Sequence, residues 1–193
     1  HAYVTETDPV TGDQIFLTIN EMLGKDCRIE GPIPVRFPVG EDGLYPGLWG
    51  HSLNTRTSFF TNDPSGHVCS KGLPEGHLPL KNFLSVPVIH DQMLVGQIAL
   101  ANSPQDYTET HIEIVERLSK YYALGLLLKH KEEARILLNS AIEQAAEAVV
   151  VADINGIQKY VNPAFETITG YSREETIDRP FRFLDPELVD PSI

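Results

Sequence analysis

The feature that most constrains this fold is a long stretch without proline, residues 108–149, in which Gly125 is the one poor helix former. Thr108 is a good N-cap, and the glutamates that follow it favour the positive end of a helix. The stretch therefore predicts one or two helices that divide the chain into a part before and a part after.

The apolar residues of this stretch recur at three- and four-residue spacing, and basic residues interrupt the seam that they form. Its apolar members are Leu124, Leu128, Leu138, Ile142 and Ala145, with Lys131 and Arg135 at intervening positions. This is a coiled-coil pattern broken in the middle. It predicts a helical linker over residues 129–147 that joins two copies in a parallel homodimer. The alternative is a single helix that packs on its own domain and ends in a surface tail.

The part before the helix, residues 1–128, alternates strand-like runs with turns. Residues 2–7 and 14–20 predict a hairpin, and residues 83–90 and 93–102 predict two central strands joined by a tight turn at Asp91-Gln92. A short helix over residues 47–54 and a long polar loop over residues 62–81 lie between them. Loops of that length in a compact domain are usually functional or mobile. The predicted class is α+β.

The part after the helix, residues 148–193, begins with a second hairpin signal. Residues 148–154 and 157–162 are strand-like and flank Asn155-Gly156, the strongest two-residue hairpin signal in the chain. Asn162 before Pro163 predicts a helix start, and Gly170 predicts its end. Ser172 and Glu175 form a capping-box pattern for a further short helix.

Charge and cysteine content exclude several classes of function. The formal net charge of −12 argues against nucleic acid and anionic membrane surfaces as partners. No apolar run approaches the roughly 18 residues of a membrane span. Two cysteines, Cys27 and Cys69, do not make a disulfide framework and favour a reduced, cytoplasmic setting. The chain begins at His1 without a signal peptide, so we expect a fragment of a larger protein.

The second part resembles the opening of a PAS domain. The resemblance is carried by Asp153, Asn155-Gly156, Asn-Pro-Ala-Phe at 162–165, Thr-Gly-Tyr-Ser at 169–172 and Glu174-Glu175. It implies that residues 148–193 are the N-terminal half of a PAS fold, which could not close a ligand pocket alone. Pro180 and Phe181 stand where flavin photoreceptors of the family carry Asn and Cys, so a flavin adduct is disfavoured.

The first part resembles a GAF domain that lacks the usual first helix of the family. The segments that carry this resemblance are residues 47–64, 80–88, 94–102 and 107–109. It implies a domain that is built from an antiparallel sheet flanked by helices and that senses a small ligand. In such proteins the output is commonly a histidine kinase, which we expect here, or alternatively a diguanylate cyclase or phosphodiesterase in cyclic-di-GMP signalling. Either domain would follow in the same chain.

The resemblance implies a small-molecule pocket between the short helix, the strands and the polar loop. Its candidate lining residues are Trp49, His51, Phe60, Asn62, Asp63, Leu84, Val86 and Val88. Trp49 is also a natural core residue, and His51, Asn62 and Asp63 are equally suited to capping or to stabilising the loop. Ser103 and Tyr107 replace residues that cyclic-nucleotide-binding GAF domains carry, which argues against that ligand.

The polar loop also holds residues that could bind a metal ion or haem iron. They are His67, Cys69 and His77, whose imidazole and thiolate groups suit both. Their spacing matches no common zinc finger, and incidental histidines on an exposed loop are the alternative. Covalent bilin attachment at Cys69 is disfavoured because Ser70 stands where a His often follows.

No catalytic motif is present in the sequence. There is no phosphate-binding glycine loop, no Gly-x-Ser-x-Gly and no His-Glu-x-x-His. A third hypothesis is a small-molecule enzyme on a GAF-like fold, such as a methionine sulfoxide reductase. That chemistry would need Cys27 and Cys69 close enough to form a disulfide.

Overall fold

The computed structural model describes residues 1–17, 35–73 and 78–180. The chain divides into two compact units, His1–Leu128 and Lys129–Ile193. Cys27, His77 and the end of the second predicted strand, residues 18–20, lie outside the described residues. The linker prediction for residues 129–147 stays a prediction.

The first unit is built on a six-stranded antiparallel sheet with the order β3-β2-β1-β6-β5-β4. The strands are β1 Ala2–Thr7, β2 Gln14–Phe16, β3 Arg36–Phe37, β4 Phe59–Thr61, β5 Phe83–His90 and β6 Met93–Ala101. Asp91 and Gln92 have φ of 47° and 67°, as a two-residue turn requires if it is to match the right-handed twist of the strands it joins. The two predicted hairpins and the α+β class are confirmed.

Helix α1, Gly47–Thr55, is held to one face of the sheet by a buried polar group. Ser52 Oγ lies 2.6 Å from Ser85 Oγ of β5. Gln97 Nε2 of β6 donates to the Ser85 hydroxyl at 2.8 Å and to the Trp49 carbonyl at 2.6 Å. Because buried polar groups cost free energy unless they are hydrogen-bonded, this group fixes the position of α1 on the sheet.

The long stretch forms one helix, α2, over Glu109–Glu143. Thr108 precedes it, and His111 takes the place of Glu in a capping box: its Nδ1 accepts from the Thr108 backbone N–H at 3.1 Å. The face of α2 within the first unit buries Ile112, Val115, Ser119, Ala123 and Leu126. Of these, Ile112, Val115 and Ala123 pack with Leu84, Val86 and Val88 in the main apolar core. Residues 131–140 are exposed.

The second unit contains a two-stranded sheet, β7 Val150–Ala152 with β8 Gln158–Val161, and helices α3 Pro163–Thr169 and α4 Arg173–Thr176. The hairpin is confirmed, but its turn is longer than the two residues predicted. The Asp153 carboxylate accepts from the backbone N–H groups of Asn155 and Ile157, at 2.9 and 3.0 Å, and so closes a wider loop.

The predicted helix boundaries of this unit are confirmed. The Asn162 side chain accepts from Phe165 N at the start of α3, and Gly170 ends that helix at φ 77°. Ser172 and Glu175 form the capping box of α4. Across the described residues, no helix combines the length and apolarity required to cross a lipid bilayer.

Candidate functional site

A cleft of about 600 Å³ opens in the first unit between the loop before α1, α1 itself and the loop after β4. This volume is in the range of small-molecule sites. The cleft is lined by Gly40, Glu41, Asp42, Leu44, Tyr45, Pro46, Gly47, His51, Asn54, Cys69 and Lys71.

The wall formed by the loop before α1 is fixed by hydrogen bonds rather than by regular structure. Asn54 of α1 accepts from Tyr45 N at 2.9 Å and donates to Tyr45 O at 2.8 Å. The Tyr45 hydroxyl donates to Gly12 O at 2.7 Å. A Cβ on Gly50 would lie 2.3 Å from the Tyr45 carbonyl oxygen, so glycine alone permits this close approach of helix and loop.

On the opposite wall, a thiol lies beside an imidazole. Cys69 Sγ is 3.3 Å from His51 Nδ1, and the Cys69 side chain is half-buried. The backbone N–H of Cys69 donates to His67 Nδ1 at 3.2 Å, which leaves that nitrogen without a proton. A half-buried thiol next to an imidazole can donate a hydrogen bond to the ring or bind a soft ligand.

An aromatic cluster holds these two histidines in place. The ring of Phe59 lies 4.8 Å from that of His51 and 5.3 Å from that of His67, and the two imidazoles are 5.2 Å apart. Burial lowers the pKa of His67, and the neighbouring His51 lowers it further. The environment therefore favours a neutral His67.

The predicted pocket residues divide between the two faces of the sheet. Phe60 pairs with Leu84 across β4 and β5, and successive strand residues point to opposite faces. Leu84, Val86 and Val88 are 0–1% exposed and pack against α2 together with Phe60. These four side chains fill the core on the face opposite α1 and do not line the cleft, whereas His51 does.

The other predicted pocket residues stabilise the structure around the cleft. The half-buried Trp49 packs its ring against Tyr45 and Phe37, at 5.6 and 5.4 Å. The Asn62 side chain bonds both backbone groups of Tyr107, accepting from N at 2.9 Å and donating to O at 3.1 Å.

Asp63 closes a turn of the loop. Its carboxylate accepts from the backbone N–H of Gly66 at 3.1 Å and from the Ser65 hydroxyl at 2.9 Å. These bonds, that of Gly66 first, lower its pKa. This residue therefore shapes the loop that leads towards Cys69.

The metal or haem hypothesis stays a prediction. His67 and Cys69 are adjacent in space, and His51 joins them, while His77 lies outside the described residues. Within residues 1–17, 35–73 and 78–180, no three metal-ligating side chains converge on one point.

The sequence did not predict the cleft wall formed by the loop before α1, which includes Tyr45. It also did not predict that Asn54 and Lys71 line the cleft. The glycines and prolines of this segment indicated only an irregular loop. The reciprocal pair of Tyr45 and Asn54 has no signature in a single sequence, because it depends on how loop and helix meet.

Comparison with known proteins identifies the family of this chain. A family model described as the GAF domain matches residues 22–126. The chain belongs to the GAF domain family. A second model, described as the PAS fold, matches residues 137–187, so the GAF domain is followed by a PAS domain.

Two relatives have names that concern sensing. The chain is 28% identical over 146 residues, 75% of its length, to the methyl sulfide methyltransferase-associated sensor of Methanosarcina acetivorans. It is 42% identical over 52 residues, 27% of its length, to the signal transduction histidine-protein kinase AtoS of Escherichia coli. The matches span 14% and 9% of the lengths of these two proteins.

A solved GAF domain has the same fold. The GAF domain of a phosphoenolpyruvate-protein phosphotransferase (ptsP) from Coxiella burnetii superposes with a TM-score of 0.53 at 19% identity. The match covers 69% of this chain and 74% of that one. The chain thus carries the GAF and PAS domains of signal-transduction sensors.

Proposed function

We propose that this chain is the sensory segment of a sensor histidine kinase, which binds a small ligand in the cleft of its GAF domain and relays binding along α2. The observation that carries the proposal is the continuity of α2. The same helix supplies core residues to the first unit and continues without a break to Glu143. The segment itself has no catalytic role in this proposal.

The composition of the cleft supports a small, partly polar ligand. Lys71, Glu41 and Asp42 provide charges of both signs, whereas Leu44 and Pro46 provide apolar contact. Sites with an apolar lining and a few polar groups orient a small molecule well. Cys69 and His51 add a hydrogen-bonding pair that would respond to the chemistry of the ligand.

The connection between the cleft and α2 supports the relay. The loop that carries Cys69 begins at Asn62, whose side chain holds both backbone groups of Tyr107. Tyr107 precedes the first residue of α2 by two positions. A ligand that displaces the loop would therefore move Asn62, and through its hydrogen bonds to Tyr107 it would shift the start of α2. An effector acts only through such a difference in interaction between two states.

The kinase output is supported by the 42% identity over 52 residues to a histidine-protein kinase. A diguanylate cyclase or phosphodiesterase is the alternative output. The cytoplasmic location that we propose is supported by Cys69, a free thiol of the kind that reducing compartments preserve. In this proposal two copies act together as a parallel homodimer.

The test is phosphoryl transfer by the full-length protein. The gene that encodes this chain is expressed entire, and the purified protein is incubated with radiolabelled ATP and, separately, with GTP. Transfer of the label to a histidine supports the kinase. Production of cyclic di-GMP from GTP, or hydrolysis of added cyclic di-GMP, supports the alternative. A folded full-length protein with none of these activities would refute both outputs.

A further inference from the structure

We propose that Cys69 is a modification site, at which the thiol exchanges with a small disulfide that carries both an ammonium and a carboxylate group. One half of that molecule then stays in the cleft as a mixed disulfide with Cys69. The inference deepens the proposed function, because it names the class of ligand that the cleft takes. It rests on the proposed function for the signal that follows and not for the chemistry.

The thiol of Cys69 borders open volume. Cys69 is one of the residues that line the cleft of about 600 Å³, and it is a half-buried free cysteine. A cysteine enclosed in a core is inert, whereas a partly accessible thiol beside polar groups can react. The cleft therefore has space beside Sγ for the group that a mixed disulfide adds.

The imidazole of His51 is placed to move the thiol proton. Its Nδ1 lies 3.3 Å from Cys69 Sγ, which is a hydrogen-bonding distance for sulfur. The ring of Phe59 packs edge-on against that of His51, with 4.8 Å between centroids and 89° between planes. A nucleophile within reach of a base that a third group orients is the arrangement that covalent chemistry at cysteine requires.

The backbone at Cys69 is fixed by His67. The Cys69 N–H donates to His67 Nδ1 at 3.2 Å, and the Ser70 N–H donates to the His67 carbonyl at 2.8 Å. These bonds close a turn over residues 67–70. The thiol is therefore held beside His51 before any ligand arrives.

The charged residues of the cleft are separated by sign. Lys71 lies two positions after Cys69 on the same loop, whereas Glu41 and Asp42 lie on the loop before α1. A molecule whose carboxylate lies near Lys71 and whose ammonium lies near the acidic loop would find a complement for both charges. Cystine and oxidised glutathione share this chemistry. A polyanionic disulfide would be repelled by the two acidic residues.

The exchange balances without a further reagent. As Sγ of Cys69 attacks one sulfur of the disulfide R–S–S–R, His51 accepts the thiol proton. The new S–S bond to Cys69 forms while the bond within R–S–S–R breaks, and the leaving sulfur takes the proton from His51 and departs as R–SH. Cys69 is oxidised and one half of the disulfide is reduced. An excess of free thiol reverses the step.

A mixed disulfide at Cys69 would act on the loop that begins at Asn62. The Asn62 side chain holds both backbone groups of Tyr107, just before α2. The added group would change the packing of the loop and, through Asn62, the position of the helix start. The domain would then respond to the ratio of disulfide to thiol around it.

The test is the rate of disulfide exchange, followed by intact-protein mass spectrometry on the 193-residue chain with Cys27→Ser, which leaves Cys69 as the one thiol. Cystine and oxidised glutathione are the zwitterionic probes, and bis(2-hydroxyethyl) disulfide is the neutral probe. Each rate is divided by that of the same probe with the chain unfolded in urea, which removes differences in intrinsic reactivity. We expect one added thiol group, removable with dithiothreitol.

The normalised rate should be at least about threefold higher for a zwitterionic probe than for the neutral one, because exposed ion pairs are individually weak. Preference for cystine alone identifies an amino-acid thiol, and preference for oxidised glutathione alone identifies a peptide thiol; both support the inference. No adduct on the folded chain, or no preference for either zwitterionic probe, would overturn it.

Two variants test the assigned roles. His51→Gln should slow exchange with every probe at least about tenfold, because the base is removed. Lys71→Gln, at an exposed position that does not endanger the fold, should remove the preference for zwitterionic probes. His90→Gln and Lys81→Gln are the matched controls, since neither residue lines the cleft. Circular dichroism checks that each variant is folded.

The two roles fail independently of the proposed function. An unchanged rate in His51→Gln, or a preference that survives Lys71→Gln, would overturn the inference. Phosphoryl transfer by the full-length protein is a separate readout, and a non-covalent ligand mass retained by Cys69→Ser would leave the sensory cleft intact while showing that the thiol is not its means of binding.

Discussion

Asn162 is the residue whose replacement we expect to be most costly in the second unit. It is fully buried, and its side chain makes four hydrogen bonds. The oxygen accepts from the backbone N–H groups of Val149 and Phe165, at 2.9 and 3.1 Å. The nitrogen donates to the carbonyls of Ile142 and Glu147, at 3.1 and 2.9 Å. One amide thereby joins the end of α2, the start of the hairpin and the start of α3.

The expected loss follows from these bonds. Removal of an N-cap side chain costs about 1 kcal/mol. Each further buried hydrogen bond contributes about 0.5–1.5 kcal/mol. Asn162→Ala should therefore destabilise the local structure by about 2.5–5.5 kcal/mol. Asn162→Asp keeps the accepting oxygen and loses the two donated bonds. Its loss of local stability should therefore be smaller than that of Asn162→Ala at the start of α3, and similar to it at the end of α2.

Native-state amide hydrogen exchange by NMR measures this directly. A loss of about 2 kcal/mol corresponds to roughly 30-fold faster exchange, and we expect at least that for the Val149 and Phe165 amides in Asn162→Ala. Ile154→Ala, at a fully exposed position of the same hairpin, is the control. Exchange of both amides within about twofold of wild type in Asn162→Ala would refute the assignment of Asn162 as the junction.

Two further predictions concern titration. The Arg36 guanidinium and two backbone amides of the first hairpin lower the pKa of Asp8 to about 2, so this carboxylate stabilises the fold above about pH 4 and loses that effect as pH falls to 2. Arg36→Ala should raise the pKa of Asp8 in a carbon-13 NMR titration; an unchanged value would contradict the pairing. The lowered pKa of His67 means that its neutral form is favoured in the fold, so stability is lost as pH falls below about 6.5. His51→Gln should raise the pKa of His67 only in part, because burial is the larger cause; a full return to 6.5 would show that His51 dominates.

Local patterns in the sequence predicted the elements with strong chemical signatures. Alternation identified β5 and β6, and Asn162, Gly170 and the capping box at Ser172 gave the helix ends correctly. These features depend on residues that are near in sequence, where one side chain satisfies a neighbouring backbone group.

The candidate site depended on contacts that no local pattern encodes. Alternation shows that Leu84 and Val86 share a face, but it does not say which helix covers that face. The predicted pocket therefore mixed core residues on the α2 side with His51 on the α1 side. The cleft wall at Tyr45 required the close approach at Gly50, which is a tertiary feature.

The cleft as a ligand site is tested most directly by native mass spectrometry of protein taken straight from cells. The wild type should carry the added mass of a small molecule. Leu44→Trp, which fills the cleft from a half-exposed position, should lose this mass. Val10→Trp, on an exposed turn away from the cleft, should keep it. A wild type without added mass, or equal retention by both variants, would contradict a sensory cleft in this domain.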